Sequence, residues 1–484
     1  MAQLEIHHIN VGQGDSTLII NRNIAQLGSN IDAAIQKNSS LSKPSAVEDY
    51  LPYAVSLNNN SRSGPVIQLD NTIRAALLID AGESVYGIDV NSYLVTSGVK
   101  AADNKNKFTT LATHFHSDHV NGFREVFFSD YAIKKNYSDQ TLNFPPVTAY
   151  DCGDLKEWDD NPSYANYVDS VKYLAGKNLT KRRVIKIHEV IPLGKDSDNT
   201  EIMLRCIANN GTVSLNGTNT EKQIIKTTDS PDQNARSTVM ILEYGDFRYF
   251  LGGDIGGTGD ESGGNWANNK DTRTKAFYSN YPDIETGVTA VLPQIYKADP
   301  KRGNTSAGHT CCFFANHHGS GSSNDVFLLE VLKPTLSVCS SGVRMQFHCH
   351  PTQQCFNRAD NSNNYSPKWQ TPGKKDSAAN TVDNTIDGYY VNEMAQDNDN
   401  YGTTKSPKPY KRTFPKGKIL GDIIVRPIDV VNYTSSTNGI RIQVYGTGDM
   451  TDSSIISKPL RPKYGTAGTS PYPLGPFIHT CNLH

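Results

Sequence analysis

The densest group of potential metal ligands in the sequence is a ten-residue stretch that begins at Thr113 and reads THFHSDHVNG. It carries His114, His116, Asp118 and His119 within six residues, although the 484-residue chain holds only 13 histidines. Imidazole and carboxylate groups are ligands that zinc and similar divalent ions prefer. A polar loop with scattered histidines is the alternative interpretation, but the density of this stretch favours a metal site.

The spacing of these residues predicts two pairs of ligands that approach from different sides. His114 and His116 follow the short apolar run 108–112. In extended backbone, residues i and i+2 share one side of the strand, so both rings are expected to face the same way. A turn follows, and Asp118 and His119 then approach from another side. Two such pairs can hold two metal ions close together.

Further donors stand where apolar runs meet small residues, as Asp80, Asp254, His317 and His318 do. Asp80 is a candidate for a buried orienting carboxylate. Asp254 arrives alone at a strand end, so we expect it to bridge two metals. Consecutive residues on a strand point to opposite faces. His317 and His318 can therefore both ligate only if the backbone turns at Gly319, and the sequence does not distinguish between them.

The chemistry of such a donor set is hydrolysis. Two metal ions about 3.5–4 Å apart can hold a hydroxide between them, and coordination lowers the pKa of water to about 7. Phosphate esters, lactones, amides and thioesters are all within reach of this nucleophile. The predicted cofactors are two divalent metal ions, with zinc as the first choice and manganese as the alternative.

The elements that must position these residues are predicted to be strands interleaved with helices. Apolar alternation predicts strands over 4–10 and 17–20, joined by the glycine-containing turn VGQGDS. Its tip carries Gln13 and Ser16, which are candidate substrate contacts, and Asp15, which we expect to be structural. Strands with donors at their ends favour a mixed α/β architecture with the site at one edge of its sheets.

The predicted domain organisation is a core interrupted by polar excursions and followed by a loop and closing strands. Low apolar content and many Asn, Ser, Gly and Pro residues mark the excursions. The predicted boundaries are a core over 1–351 with insertions at about 21–64, 129–180 and 256–308, a surface-loop region over 352–418, and closing strands with C-terminal coil over 419–484.

Composition and charge bear on the class of partner, and nucleic acid stays possible through a local basic patch. The formal net charge is −2, so a general nucleic-acid-binding coat is not indicated. The sequence has no apolar run of 18 or more residues and no visible signal peptide. We therefore expect no membrane association and a cytoplasmic location, with a small-molecule or phosphodiester substrate. The oligomeric state is not predicted.

Several motifs together resemble the metallo-β-lactamase superfamily. THFHSDHVNG is similar to its HxHxDH signature. The segments INVGQGDSTLII, LLIDAG, NARSTVMILEYGDFRYFLGGD, NHHGSGSSN and SGVRMQFHCHP occur in an order that resembles one branch. That branch contains the hydrolase domain of the competence DNA-uptake channel protein, and teichoic-acid phosphorylcholine esterases are close to it. The resemblance implies an αββα sandwich with the metals at one edge.

The resemblance also implies roles for individual residues. His114 and His116 would ligate the first metal, Asp118 and His119 the second, and Asp254 would bridge. His317 or His318 would complete one shell, and Asp80 would orient a ligand histidine. Asp118 and His350 are the catalytic candidates, and Ser320 is a candidate substrate contact. His350 could act as general acid to the leaving group or bind a substrate phosphate, and a hydrogen-bonded structural histidine is the alternative.

The chain also departs from the family pattern. Many members have another ligand histidine between HxHxDH and the bridging aspartate, whereas here that interval holds only His188, which we expect to be a core or edge residue. The leading hypothesis is a di-metal hydrolase that cleaves a phosphodiester by attack of a metal-bound hydroxide. The alternatives are hydrolysis of an ester, lactone or β-lactam bond at the same site, and a non-catalytic metal-binding or ligand-binding protein.

Overall fold

The computed structural model describes most of the strand-forming and helix-forming parts of the chain. The described residues are 3–60, 67–99, 108–129, 140–154, 161–215, 220–223, 233–257, 283–297, 307–342, 350–351, 355–356, 359, 386–393, 417–430, 439–446 and 474–481.

Strands form most of the described structure. In chain order they are β1 (Gln3–His8), β2 (Thr17–Arg22), β3 (Ile73–Ile79), β4 (Phe108–Ala112), β5 (Thr148–Asp151), β6 (Lys181–Val184), β7 (Val190–Lys195), β8 (Glu201–Asn209), β9 (Thr212–Leu215), β10 (Thr220–Gln223), β11 (Val239–Tyr244), β12 (Phe247–Leu251), β13 (Cys312–Phe314), β14 (Leu336–Cys339), β15 (Gly388–Val391), β16 (Gly417–Ile419), β17 (Ile423–Ile428), β18 (Ile440–Gly446) and β19 (Leu474–Cys481).

The α-helices lie between these strands. They are α1 (Ile24–Lys37), α2 (Tyr50–Asn60), α3 (Gly87–Thr96), α4 (Ser117–Val120), α5 (Phe123–Phe127), α6 (Pro162–Gly176), α7 (Ile284–Ile295) and α8 (Val326–Leu332). Among the helices of these described ranges, none is both long enough and apolar enough to cross a membrane.

Among the described residues, the strands form two large sheets. The first has nine strands in the order β19-β18-β17-β1-β2-β3-β4-β5-β6. The second has ten, in the order β10-β9-β8-β11-β12-β13-β14-β15-β16, with β7 paired to β8. From β3 to β6 in the first sheet and from β12 to β16 in the second, neighbouring strands run parallel. Their carboxyl ends therefore collect at one edge of each sheet.

The two sheets pack face to face, and helices cover their outer faces. In β3, Leu77 and Ile79 join the core between the sheets, whereas Ala76 and Leu78 face outward and pack with α3, α5 and α6. In the second sheet, the outward Ile241 packs with α7 and α8. This alternation is the period-two pattern of a strand that is buried on both faces. The predicted αββα sandwich is confirmed.

The segment 21–64, which the sequence marks only as a polar insertion, contains two helices. Helix α1 has 14 residues and α2 has 11. Ile24, Leu27, Ile31 and Ala34 repeat at helical spacing on the buried side of α1, and they pack against α2. The polar residues of the opposite side hide this period in the sequence.

Three further predictions of irregular structure were wrong in part. Within 352–418, β15 is buried and pairs with β14, and β16 pairs with β15. Within the tail expected as coil, 474–481 forms β19, which pairs with β18. The loop-rich segment 129–180 contains β5 and α6. Most of 256–308 and of 352–418 lies outside the described residues, so the domain boundaries stay a prediction.

Candidate metal centre

The predicted site residues come together where the parallel strands of both sheets end. In the first sheet, Asp80 follows β3 and the 113–119 segment follows β4, which pairs with β3 in parallel. In the second sheet, Asp254 follows β12, and the 317–318 pair follows the parallel strand β13. The two sheet edges face each other, so donors from four distant parts of the chain meet in one place.

The first group of donors consists of His114, His116 and Asp254. One nitrogen of each ring and one carboxylate oxygen lie within 4.8 Å of one another. His114 Nε2 is 3.1 Å from His116 Nδ1 and 3.9 Å from Asp254 Oδ2. Ligand atoms about 2.0–2.2 Å from a zinc ion lie at comparable separations from each other.

The second group consists of Asp118, His119 and His318, whose donor atoms also lie within 4.8 Å of one another. His116 is the last extended residue before α4 begins at Ser117. This change from extended to helical backbone turns Asp118 and His119 away from the first pair of histidines, as the sequence pattern predicts. His318 Nε2 is 3.4 Å from Asp118 Oδ2.

Asp254 lies between the two groups. Its Oδ2 atom is 3.2 Å from His119 Nε2, 3.4 Å from His318 Nε2 and 3.9 Å from His114 Nε2. One oxygen therefore faces nitrogens of both groups. This is the position that a carboxylate shared by two metal ions requires.

Two more carboxylates, Asp80 and Asp15, lie on the side of the second-group histidines that is turned away from Asp254. Asp80 Oδ2 lies 2.8 Å from His119 Nδ1 and accepts its hydrogen bond. His318 Nδ1 donates to the backbone carbonyl oxygen of Ser340 over 3.1 Å, and Asp15 Oδ1 lies 3.2 Å from the same nitrogen at ion-pair distance. In both rings the carboxylate faces Nδ1 while Nε2 faces Asp254. Such partners fix the tautomer and the orientation of ligand histidines. Asp80 is where the sequence predicts an orienting group, whereas the prediction placed Asp15 in a structural role and missed this contact.

The electrostatic field of the cluster is strongly negative. Burial lowers the pKa of His119, but the charges of Asp254 and Asp80 outweigh burial and raise this pKa well above its usual value. Burial likewise lowers the pKa of His318, and Asp254 and Asp15 raise it well above the usual value. A negative field that raises the pKa of two buried imidazoles also favours the binding of divalent cations.

The backbone of the 316–319 turn separates two adjacent histidines. His317 and His318 have φ angles of 50° and 53°, and Gly319 follows with 77°. Consecutive left-handed residues break the strand alternation, so both rings point towards the site region. His318 is 1% exposed and belongs to the second donor group, whereas His317 belongs to none of the described groups. The structure therefore favours His318 as the ligand.

His317 lies beside the cluster, next to two other polar side chains. Its Nε2 atom is 3.2 Å from Asn234 Nδ2 and 4.0 Å from Asp254 Oδ2. The ring of His350 is centred 5.5 Å from that of His317 and 6.4 Å from that of His318. Pro351, which follows His350, packs against Gly319. Asn234 is a site residue that the sequence analysis missed, although it lies in the quoted segment NARST.

The other predicted site residues lie in the following places. Gln13 and Ser16 are 5% and 1% exposed in the turn between β1 and β2. Ser320, two residues after His318, has its Oγ atom 3.0 Å from Ser322 Oγ. Contacts of these three residues with a substrate stay predictions. His188 lies in the turn between β6 and β7, outside the metal-ligand groups of the described residues.

The VGQGDS turn packs directly on the ligand segment. Gly14 has a φ of 139°, and a Cβ atom there would lie 2.3 Å from the carbonyl oxygen of Asp118. The amide of Asp15 donates to that same oxygen over 3.2 Å. Only glycine allows an approach this close. The turn therefore fixes the position of the Asp118 backbone and places the Asp15 carboxylate next to His318 Nδ1.

The donors fit divalent metal ions by a second criterion. His318 Nε2 and Asp254 Oδ1 are buried and make no hydrogen bond within the described part of the chain. Buried polar atoms in folded proteins almost always have a partner. Metal ions between the two groups would give both atoms one, and imidazole with carboxylate is a donor set suited to zinc.

Comparisons with known proteins add little to this geometry. No protein-family model matches the chain, and no curated protein matches it. Similar solved structures include the metallo-beta-lactamase fold protein YhfI from Bacillus subtilis, at 12% identity over 56% of this chain and 86% of that chain, with a TM-score of 0.27. Zn(2+)-bound PqqB from Methylobacterium extorquens is 15% identical over 37% of this chain and 48% of that chain, with a TM-score of 0.20. At such TM-scores the likeness carries no weight for function, which must come from the site.

Proposed function

We propose that this chain is a metal-dependent hydrolase that cleaves phosphodiesters at a centre of two divalent metal ions. Zinc is the first choice for these ions, and manganese is the alternative. The observation that carries the proposal is the position of Asp254, whose single Oδ2 atom faces histidine nitrogens of both donor groups. Metal ions bound there would ionise a water molecule at neutral pH and stabilise the charge of a displaced oxygen.

The chain's own residues supply orientation and proton transfer. Asp80 and the backbone carbonyl of Ser340 keep the Nε2 lone pairs of His119 and His318 directed at the centre, because each accepts from the opposite ring nitrogen. Asp15 adds a negative charge 3.2 Å from His318 Nδ1. The ring centres of His350 and His317 are 5.5 Å apart. In the proposed reaction His350 donates a proton to the departing alcohol oxygen when the P–O bond breaks.

The choice of a phosphodiester rests on the side chains beside the centre. His317, Asn234 and His350 present imidazole and amide groups there. These groups donate hydrogen bonds to anionic oxygens, and the non-bridging oxygens of a phosphodiester carry the negative charge that such donors prefer. A neutral lactone or ester lacks this charge and would gain less from these hydrogen bonds.

The proposal is tested by metal analysis together with a panel of substrates. We expect the purified protein to contain zinc or manganese and to hydrolyse bis-p-nitrophenyl phosphate. His116→Ala and Asp254→Ala should reduce this turnover to background without unfolding the protein. His188→Asn is the matched control, because it removes a histidine outside the centre, and asparagine tolerates the positive φ of 67° at that position.

Each alternative predicts a different result. Turnover of a lactone, an ester or a β-lactam without turnover of the phosphodiester would replace the proposed substrate and keep the metal centre. Metal content near zero, with undisturbed stability and no turnover, would favour a non-catalytic binding protein. Unchanged phosphodiesterase activity in Asp254→Ala would contradict the proposal itself.

A further inference from the structure

A buried carboxyl group outside the metal centre contacts the segments that carry two of its ligands. Glu285 lies in the first turn of α7 and is 0% exposed. It has no place in the proposed reaction. The backbone amides of Ile284 and Glu285 both donate to the carbonyl oxygen of Gly256, two residues after Asp254. The start of α7 is therefore attached to the segment that follows Asp254.

The side chain of Glu285 accepts hydrogen bonds from the segment that carries His318. Its Oε1 atom accepts from Asn316 Nδ2 over 2.7 Å and from the backbone amide of Asn324 over 2.6 Å. Its Oε2 atom accepts from the amide of Asp325 over 2.8 Å. One carboxyl group thus binds both ends of the loop that contains His317 and His318.

Asn316 continues this connection to the segment that precedes Asp254. A Cβ atom on Gly252 would lie 2.0 Å from Asn316 Oδ1, so the amide of Asn316 packs directly on that glycine. The amide of His317 donates to the carbonyl oxygen of Gly253 over 3.0 Å. Asn316 and Asn324 also bond to each other, because the Asn316 amide donates to Asn324 Oδ1 over 2.8 Å and Asn324 Nδ2 donates to the Asn316 carbonyl over 3.0 Å.

We infer that Glu285 is a positioning residue, which holds the loop of His318 against the segment of Asp254 and so sets the distance between two metal ligands. The physical reason is the backbone of that loop. His317 and His318 are both left-handed, which is unfavourable for residues with a Cβ atom. Such a conformation persists only when its surroundings enforce it, and the hydrogen bonds of Glu285 do so from the buried side.

This inference rests on the metal centre of the proposed function, and cobalt binding tests it without an activity assay. Cobalt(II) takes zinc-type sites and gives visible absorption that depends on its ligands. We expect Glu285→Ala to weaken cobalt binding about 10–100-fold, as loss of an outer hydrogen-bond partner of a metal site typically does. The absorption spectrum of the cobalt-saturated variant should also change, because His318 is displaced.

Two further variants sharpen the test. Glu285→Gln keeps one acceptor oxygen for Asn316 and should lose less affinity than Glu285→Ala. Glu5→Gln is the matched control, because Glu5 is an equally buried carboxylate that binds Arg22 over 2.6 Å on the far side of the first sheet. It should lower stability and leave the cobalt spectrum unchanged. If Glu285→Ala fails to fold, Asn316→Ala breaks the same connection and should give the same spectral change.

The outcomes separate this inference from the proposed function. A wild-type protein that binds no cobalt overturns both. A wild-type protein that binds cobalt, with a folded Glu285 or Asn316 variant that keeps its affinity and spectrum, overturns the inference alone. A weaker affinity with the wild-type spectrum and equal losses in Glu5→Gln would show a general loss of stability and would also overturn it.

Discussion

Replacing Asp80 by asparagine should damage the metal centre more than replacing it by alanine. Asp80 Oδ1 accepts from the backbone amide of Thr113 over 2.8 Å. Its Oδ2 atom accepts from Thr113 Oγ1 over 2.6 Å and from His119 Nδ1 over 2.8 Å. Two obligatory N–H donors therefore face different oxygens of one carboxylate. An asparagine has only one oxygen and cannot serve both.

The consequence falls on the tautomer of His119. An asparagine whose oxygen stays on the amide of Thr113 turns its NH₂ group towards His119 Nδ1. That nitrogen must then accept, and the ring proton moves to Nε2, the atom that lies 3.2 Å from Asp254 Oδ2. A nitrogen that carries a proton cannot ligate. In Asp80→Ala the vacated space can take a water molecule, which accepts from Nδ1–H and leaves Nε2 as the ligand atom.

The expected loss of metal affinity differs between Asp80→Ala and Asp80→Asn. Loss of an outer partner without a change of tautomer costs about 10–100-fold in metal affinity, which corresponds to about 1.4–2.7 kcal/mol. This is the expectation for Asp80→Ala. For Asp80→Asn we expect a loss of metal affinity greater than about 100-fold, because a wrong histidine tautomer is costly, as the roughly 10⁴-fold fall in kcat of serine proteases with this defect illustrates.

The measurement is zinc affinity by competition with a chromophoric chelator at pH 7, alongside thermal unfolding in the presence of EDTA. The control is Asp196→Asn, since Asp196 is also buried and accepts from Tyr244 OH over 2.8 Å, far from the centre. It should lower the melting temperature and leave zinc affinity unchanged. The reasoning would be refuted if Asp80→Asn bound zinc as tightly as the wild type, or more tightly than Asp80→Ala.

Two further predictions concern stability, both measured by chemical denaturation. Gly14→Ala should lower the free energy of unfolding by about 1–3 kcal/mol, because its φ is 139° and the new Cβ would meet the carbonyl of Asp118. The control Gly176→Ala should be neutral or stabilising, because the space around Gly176 is open. Glu5 is fully buried, which raises its pKa, but Arg22 lowers the pKa from 4.5 to about 2. This depressed pKa gives about 3 kcal/mol of stability above pH 4.5, of which about 2 kcal/mol disappears between pH 5 and pH 3. Urea unfolding of Glu5→Gln should therefore depend less on pH in this range than the wild type does, and parallel curves would contradict the assignment.

The candidate ligands can be predicted from the sequence because their chemistry is local. His114, His116, Asp118 and His119 lie within one short segment, and the polar–apolar boundary at Asp254 stands out at the end of an apolar strand. The parallel pairing of neighbouring strands then brings these ends together, and this follows from the general rules of α/β folds.

Other features of the site depend on backbone angles that no residue pattern displays. Both His317 and His318 face the site region because both are left-handed, a conformation that neither residue favours on its own. Only the structure shows that His318 is the one that lies in a donor group. The contact of Asp15 with His318 depends on the close approach that Gly14 permits. The hydrogen bonds of Glu285 join segments 31 and 39–40 residues away along the chain.

The missed elements have equally physical reasons. Strand β19 contains Gly475 and Pro476, which are signals of coil in a sequence, yet it is the edge strand of its sheet, where a missing N–H is tolerated. Strand β15 has only four residues in a polar stretch, and its pairing with β14 rather than its own pattern defines it.

The place of β1 in the first sheet has a consequence for the synthesis of the protein. Its residues pair with β2 on one side and with β17 on the other, where Ile6 stands opposite Val425. During translation the hairpin of β1 and β2 leaves the ribosome about four hundred residues before β17, the second neighbour of β1. Over that interval β1 keeps an open strand edge, which is a template for intermolecular pairing. High contact order of this kind predicts slow folding and a need for chaperones or low temperature when the protein is produced in a heterologous host.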